Sequence, residues 1–431
     1  LCRRRESGDT MNSMRLRPPR PPGERVRPVA AATEMLCTAE KVSVFGQKPF
    51  VQPSPRGEAK TKQIHSQRGV SYLFCRKIIY RNFRNIEYAE LEPSETVTVL
   101  NGRNGQGKTN LLEGVYLFAG VRSFRSAREN EFVRFGAELA ELSMTFFNGR
   151  REMKMDLRWT AGNGKRYCRI NGVPITKLSE TVGNFRAVLF CPGHLSLVKD
   201  GPAMRRRFLD AAISQIDPAY LRSLQKYNSV LLQRNALIKM SRDRRDDSIF
   251  LDTAEMWSEQ LAREAETIAS KRYRYTERVS TLVGPVISDM TGGHESASLE
   301  YTSAKTYEEY LRLLTENAAR ELRAGVTLYG VHKDDIKIEL CGNDARAYAS
   351  QGQQRSIALA MKIAEGEISK EYGGEYPVFL FDDILSELDA SRRAYLLDGI
   401  TGKQVFITSC DEVNTESRVF RVENGKLELS V

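Results

Sequence analysis

The octet Gly102-Arg103-Asn104-Gly105-Gln106-Gly107-Lys108-Thr109 limits what this chain can fold into more than any other feature. An apolar run, Thr96-Val97-Thr98-Val99-Leu100, feeds into it, and a helical pattern at Leu111, Leu112, Val115 and Tyr116 follows. Strand, glycine-rich loop and helix in that order turn backbone N–H groups inward around phosphate oxygens. Lys108 is then placed for the β- and γ-phosphates of ATP and the Thr109 hydroxyl for Mg2+, with the positive helix N-terminus facing the same anion.

Two further segments belong to the same chemistry. Val378-Phe379-Leu380-Phe381 reads as a buried strand ending in Asp382-Asp383, which brings two carboxylates to the carboxyl edge of the sheet beside the phosphate loop. Asp382 is expected to hold Mg2+, directly or through water, and Asp383 to orient the attacking water as a general base. Ser350-Gln351-Gly352-Gln353-Gln354-Arg355 precedes a helical run at Ile357, Leu359, Ala360, Ile363 and Ala364. Alone it reads as a helix N-cap. Its place 382 − 350 = 32 residues before Asp382 leaves room for one helix and a short connection.

At 431 residues the chain is long enough for two or three domains. No apolar run approaches the roughly 20 residues that span a bilayer, and Leu1–Pro22 lacks the apolar core of a secretory signal. A cytoplasmic location without a membrane partner is therefore expected. The net charge of +10 is concentrated at one end: residues 1–70 hold 14 Lys+Arg and 6 Asp+Glu, which leaves 51 and 49 for the remainder. With 8 of the 15 prolines, residues 1–70 read as a disordered extension, a basic DNA-touching arm being the sharper alternative. The seven cysteines form no C-x-x-C pair and the four histidines no H-x-x-x-H spacing, so neither a disulfide framework nor a zinc site is expected.

Lys77–Tyr80 reads as a strand turning at Asn82-Phe83-Arg84-Asn85. Residues 139–176 read as an antiparallel sheet, with hairpin signals at Asn148-Gly149, Asn163-Gly164 and Asn171-Gly172. Residues 202–323 are long charged helical segments with few glycines, and strand signals return at Asp335–Leu340, Pro377–Phe381 and Gln404–Thr408. The chain thus divides into an extension (1–70), the first half of a nucleotide-binding lobe (71–201), an inserted helical lobe (202–323) and the second half of the nucleotide-binding lobe (324–431).

The order of phosphate loop, Ser350–Arg355 helix, Asp-ended strand and Ser386-Glu387-Leu388-Asp389 resembles that of ABC-type ATPase heads. More narrowly, Asn82–Asn85, Met204-Arg205-Arg206-Arg207-Phe208-Leu209-Asp210, Ser350–Arg355 and Asp382–Asp389 resemble the RecF family. The likeness runs from about Lys77 to near the C-terminus. It departs at Pro192-Gly193-His194, where the family carries an acidic pair, and mildly at Gly330-Val331-His332-Lys333-Asp334-Asp335. Thr408-Ser409 stands where many ABC ATPases carry a switch histidine, and RecF-like proteins lack that histidine too.

The resemblance implies an α/β fold: an ABC-type P-loop head with a mixed sheet, an antiparallel β subdomain and the inserted helical lobe. It implies an ATP-dependent homodimer, in which Ser350 and Gly352 of one copy contact the γ-phosphate held at Lys108 of the other. Ser386 and Asp389 would form the D-loop. Further implications are weak, DNA-stimulated ATP hydrolysis, binding of double-stranded DNA at gap edges and junctions, cooperation with RecR and RecO to load RecA, and work at the nucleoid. Arg205, Arg206 and Arg207 are candidate phosphate contacts, with pairing to carboxylates such as Asp210 as the competing reading. Lys239, Arg242, Arg244 and Arg245 are weaker candidates because Asp243, Asp246 and Asp247 interrupt them. Two alternatives stay open: a nucleotide-gated DNA clamp whose turnover is dispensable, and another ABC head for transport or SMC/Rad50-like tethering. A tether would need heptads over hundreds of residues, and residues 202–323 are too few.

Overall fold

The computed structural model describes residues 72–430, apart from 121–122, 126–128, 163–165, 400 and 412–416. The expectation for residues 1–70 and the Asn163-Gly164 turn lie outside the described residues.

The site is organised by a six-stranded sheet made of β3 (Val97–Asn101), β8 (Ala187–Phe190), β12 (Val378–Asp382), β13 (Val405–Ser409), β14 (Arg418–Glu423) and β15 (Lys426–Leu429). Its order is β15-β14-β3-β13-β12-β8, parallel throughout except for the antiparallel β14–β15 pair. Every residue of β8 and β12 is buried, as unbroken apolar runs require when both faces of a parallel sheet are covered. Register sets the carboxyl ends side by side, with Asn101 opposite Ser409 and Thr408 opposite Asp382. Ligand sites of open α/β sheets lie at this edge.

A second sheet is antiparallel: β1 (Leu73–Phe83), β2 (Ile86–Leu91), β4 (Leu139–Asn148), β5 (Glu152–Thr160), β6 (Arg166–Ile170) and β7 (Val173–Ile175), in the order β2-β1-β4-β5-β6-β7. β4 and β5 alternate buried and less buried residues, the mark of a sheet with one covered face. Asn171-Gly172 turns β6 into β7 with positive φ at both residues (49° and 82°), the two-residue geometry that Asn-Gly favours. Gln404 ties the two sheets together. Its Oε1 accepts from Cys75 N (2.7 Å), and its Nε2 donates to the carbonyls of Cys75 and Ser94 (2.8 Å each), at the point where the β1–β4 register shifts.

Helix α1 (Lys108–Leu117) follows the glycine loop. Pro202–Ile216, Pro218–Arg244, Ser248–Leu251, Ala254–Met290, Tyr307–Glu316 and Ala318–Ala324 form α2 to α7, and Ala345–Tyr348, Gln351–Gly373 and Ala390–Gly399 form α8 to α10. At 27 and 37 residues, α3 and α5 reach only about 40 and 55 Å at 1.5 Å per residue. The stretch expected to be wholly helical contains one strand, β9 (Ala297–Tyr301), which pairs with β10 (Ile336–Leu340) in a small sheet completed by β11 (Asn343–Asp344). Its burial alternates strictly, so the side chains of Ala297, Leu299 and Tyr301 point inward.

The β1–β2 hairpin anchors α1. Arg84, in left-handed backbone (φ 57°), donates through Nε and Nη2 to the two carboxylate oxygens of Glu113 on α1 (3.0 and 2.8 Å). Glu113 is fully buried and also accepts from Ser123, while the Arg84 guanidinium lies 5.0 Å from the Phe132 ring centroid. Removing one partner of such a pair strands the other charge. Arg84→Ala is expected to cost about 3 kcal/mol or more in urea unfolding, and Arg84→Met with Glu113→Leu to recover most of that loss.

Candidate nucleotide-binding site

The phosphate loop is held from three sides. Gly102 N donates to Ser409 O (3.2 Å), and a Cβ on Gly102 would collide with the Val422 carbonyl, so only glycine lets β14 pass this close. Gly107 heads α1 at φ 112°, where a Cβ would also meet the Asn85 side chain at 2.9 Å. The β14–β15 turn donates from Gly425 N to Gln106 O (2.8 Å) and from Asn424 N to Gln106 Oε1 (2.7 Å). Arg103, Asn104 and Gly105 form the exposed crest. Lys108 is 3% exposed and folded over its own loop, with Nζ donating to Gly102 O (2.6 Å) and Arg103 O (3.3 Å) and lying 3.0 Å from Cys410 Sγ. The Cys410 thiol in turn donates to Asn104 Oδ1 (3.0 Å).

Beneath the loop, Asp382 Oδ1 accepts from Thr109 Oγ1 and from Thr408 Oγ1, both at 2.9 Å. Thr408 Oγ1 also accepts from Asp383 N (2.9 Å), so one hydroxyl organises both carboxylate residues. Nothing local in Thr408-Ser409 signals this role; the β12–β13 register, which sets Thr408 opposite Asp382, creates it. Asp383 sits at φ 48°, half-buried, and its carbonyl accepts from Ser386 Oγ (2.9 Å). Burial raises the Asp382 pKa above the ordinary carboxylate value, the Thr109 and Thr408 hydroxyls pull it back, and Asp383 raises it further. Thr109 and Asp382 offer adjoining hard oxygens beside the phosphate loop, a donor set that suits Mg2+ shared with nucleotide phosphates.

Ser350–Arg355 forms the start of α9. Ser350 Oγ accepts from Gln353 N (3.3 Å) and Gln353 Oε1 accepts from Ser350 N (2.7 Å), a reciprocal capping box. Gln353 also donates to Glu295 Oε1 (2.7 Å), Gln354 donates to Ala349 O (2.9 Å), and Arg355 binds the Glu387 carbonyl and carboxylate. Ser350 and Gln351 are exposed, and Gly352 lies beside the Arg392 guanidinium. Arg392 donates through Nε to Ser356 Oγ (2.7 Å) and pairs with Asp389, whose carboxyl it holds below the usual range by backbone and side-chain bonds. Among the described residues, no hydrogen bond or ion pair joins Ser350–Arg355 to Gly102–Thr109.

In the loop after β8, His194 stacks on Phe190 (centroids 6.5 Å apart, planes 7° apart). Burial together with the Lys362 charge pushes its pKa down to about 3, so the imidazole is neutral. Of the arginine triplet, Arg205 is not open to DNA. It is 3% exposed, its Nε and Nη2 donate to Asp335 (2.7 and 2.9 Å), and its Nη1 donates to the carbonyls of Leu197, Val198 and Asp200. The expected partner Asp210 is instead paired with Arg272. Arg206 is half-buried, whereas Arg207 and the Lys239–Arg245 cations are exposed.

A family model described as the RecF/RecN/SMC N terminal domain matches residues 74–426. The chain is 36% identical over 366 residues to the DNA replication and repair protein RecF of Staphylococcus carnosus, covering 80% of this chain and 97% of that protein. To RecF of Listeria monocytogenes serotype 4b it is 37% identical over 370 residues, covering 82% and 99%. The solved structure of the recombination mediator protein RecF with ATP, from the RecFOR pathway, superposes with a TM-score of 0.77 at 32% identity, covering 85% of this chain and 100% of that one. An Smc head domain from Pyrococcus furiosus, at 18% identity and a TM-score of 0.50, shares the fold.

The raised Asp382 pKa carries a pH dependence. An acid whose pKa rises on folding penalises the native state once ionised, so the nucleotide-free protein loses stability as pH climbs from the ordinary carboxylate value through the raised one. Asp382→Asn is expected to remove that loss, melting higher than the parent at neutral pH and converging with it near pH 4. Melting curves that stay parallel across this range would refute the burial account.

Proposed function

Because this chain belongs to the RecF family and carries the fold of its SMC-like ATPase heads, we propose that it is an ATP-dependent DNA-binding protein of recombinational repair and replication. Two copies close around ATP, grip duplex DNA at gap edges and junctions, and part after hydrolysis. Residues 71–201 and 324–431 make the ATPase lobe, and 202–323 the inserted helical lobe. By its kinship with RecFOR-pathway proteins it acts with RecR and RecO in loading RecA, in the cytoplasm at the nucleoid. No helix among the described residues is long and apolar enough to cross a membrane.

One observation carries the dimer reading. Lys108, Thr109 and Asp382 converge within a single copy, while the exposed helix start at Ser350 has no bond to that phosphate loop. ATP at the loop supplies phosphate oxygens that replace Gly102 O and Arg103 O as acceptors for Lys108. Mg2+ held by Thr109 and Asp382 would neutralise charge developing on the β- and γ-oxygens. Asp383 accepts a proton from the attacking water as the bond from γ-phosphorus to the ADP oxygen breaks. From the other copy, Ser350 and Gly352 close on the γ-phosphate, with Ser386 and Asp389 beside them. A phosphate gripped this way is a ligand of the dimer and not of the monomer, so its loss reopens the pair.

Sizing of the purified chain tests this: ATP is expected to convert wild type to a dimer and to leave Lys108→Ala monomeric. A wild type that stays monomeric at saturating ATP sinks the reading. Asp383→Asn is expected to keep the ATP-dependent dimer while turnover falls about 10^2- to 10^4-fold. If that variant still supports repair in cells, the clamp whose hydrolysis is dispensable becomes the better description.

A further inference from the structure

Four arginines and three aspartates meet where α2, α3 and α5 come together with the turn Val331–Lys333. Arg205 takes Asp335 with both of its fork nitrogens. Arg272, 2% exposed, takes Asp210 through Nε and Nη2, donates to the Val331 carbonyl, and lies 3.8 Å from Asp334, which also accepts from Tyr301. With each carboxylate so engaged, Arg206 and Arg207 have no carboxylate partner among the described residues. Arg206 donates to the Asp334 carbonyl (2.6 Å), and Arg207 lies 3.9 Å from Met204 Sδ.

Both side chains line an open pocket of about 240 Å³, together with Arg272, Asp210, Asn228 and His332. The Asp210 carboxylate in its wall accepts from Arg272 and the Tyr220 hydroxyl through Oδ1. His332 adds no charge and no free nitrogen: Nδ1 lies 2.7 Å from the Tyr227 hydroxyl and Nε2 3.1 Å from the Thr327 carbonyl, and burial keeps the ring neutral, with its pKa down to about 4. Desolvation and the adjacent Arg272 charge disfavour ionised Arg206, and Asp335, Asp334 and Asp210 offset that cost only in part, so an entering anion would reduce it further.

We propose that this pocket binds a phosphoryl group, with the Arg206 and Arg207 guanidinium forks as its principal ligands and the exposed Asn228 amide as a third donor. The group could belong to a DNA backbone or to a free phosphoanion. The pocket itself does not depend on the nucleotide reading; only its assignment to DNA rests on the proposed function.

Inorganic phosphate is the probe, titrated into the full Lys108→Ala chain so that the glycine loop does not dominate the response. A melting-temperature rise of about 2–4 °C is expected at saturation, abolished by adding Arg206→Gln and Arg207→Gln. Arg206→Lys with Arg207→Lys keeps the charge and removes the forks, and should respond only partly. No rise in the Lys108→Ala chain, or an undiminished rise in the glutamine variant, overturns the proposal. A labelled duplex then separates the sources in the otherwise wild-type protein. A fall of about 10-fold in affinity and of 1–2 in the salt slope on the glutamine substitutions assigns the pocket to backbone phosphates. Unchanged duplex binding with a lost phosphate response assigns it to a free phosphoanion. A wild type that binds no duplex counts against the proposed function, and the phosphate titration still decides the pocket.

Discussion

The site depends on one buried carboxylate and the two hydroxyls that hold it. Asp382 ends a strand with no polar neighbours of its own, and it is kept in place by Thr109 from the glycine-loop helix and Thr408 from the next strand. Those two bonds join three separate elements at a single oxygen. They also explain the in-register pairing of β12 with β13: a one-residue slip would turn Thr408 to the other face and leave Asp382 unsatisfied. The glycine loop above the carboxylate is held separately, by Ser409 and by the β14–β15 turn, and Lys108 folds over it from the first position of α1.

Elements that belong to the opposite face of the proposed ATP sandwich are fastened to one another. Arg355 on α9 holds Glu387, Arg392 joins Ser356 to Asp389, and Arg393 donates to the carbonyls of Leu385 and Leu388. Two guanidinium groups, Arg355 and Arg392, therefore fix the loop 384–389 to the start of α9, and Arg393 ties the same loop to α10. Arginine suits this work because its planar fork serves carbonyls and carboxylates at once, with little loss of freedom per bond.

Much of this was legible in the sequence. The glycine octet lies between a strand and a helix because the apolar runs around it have the matching periods, and Ser350 starts a helix because its hydroxyl and Gln353 satisfy each other. What escaped was set by distance in the chain. Ala187–Phe190 is four residues long, too short to show a period, and becomes a strand only because β12 lies beside it. Ala297–Tyr301 alternates cleanly, yet it sits between long helices and needs β10 as a partner. Arg205 looked like its two neighbours, and only the fold brings Asp335, 130 positions away, within reach of it.

Gln404, which leads into β13, and Thr408 within it mark the two ends of one short extended stretch, four residues or about 13 Å apart. One end is clasped to the bulge of the antiparallel sheet and the other to the Asp382 carboxylate. Because β13 is paired along both edges, with β12 and with β3, the clasp on the antiparallel sheet and the clasp on the carboxylate share one laterally bonded run of backbone.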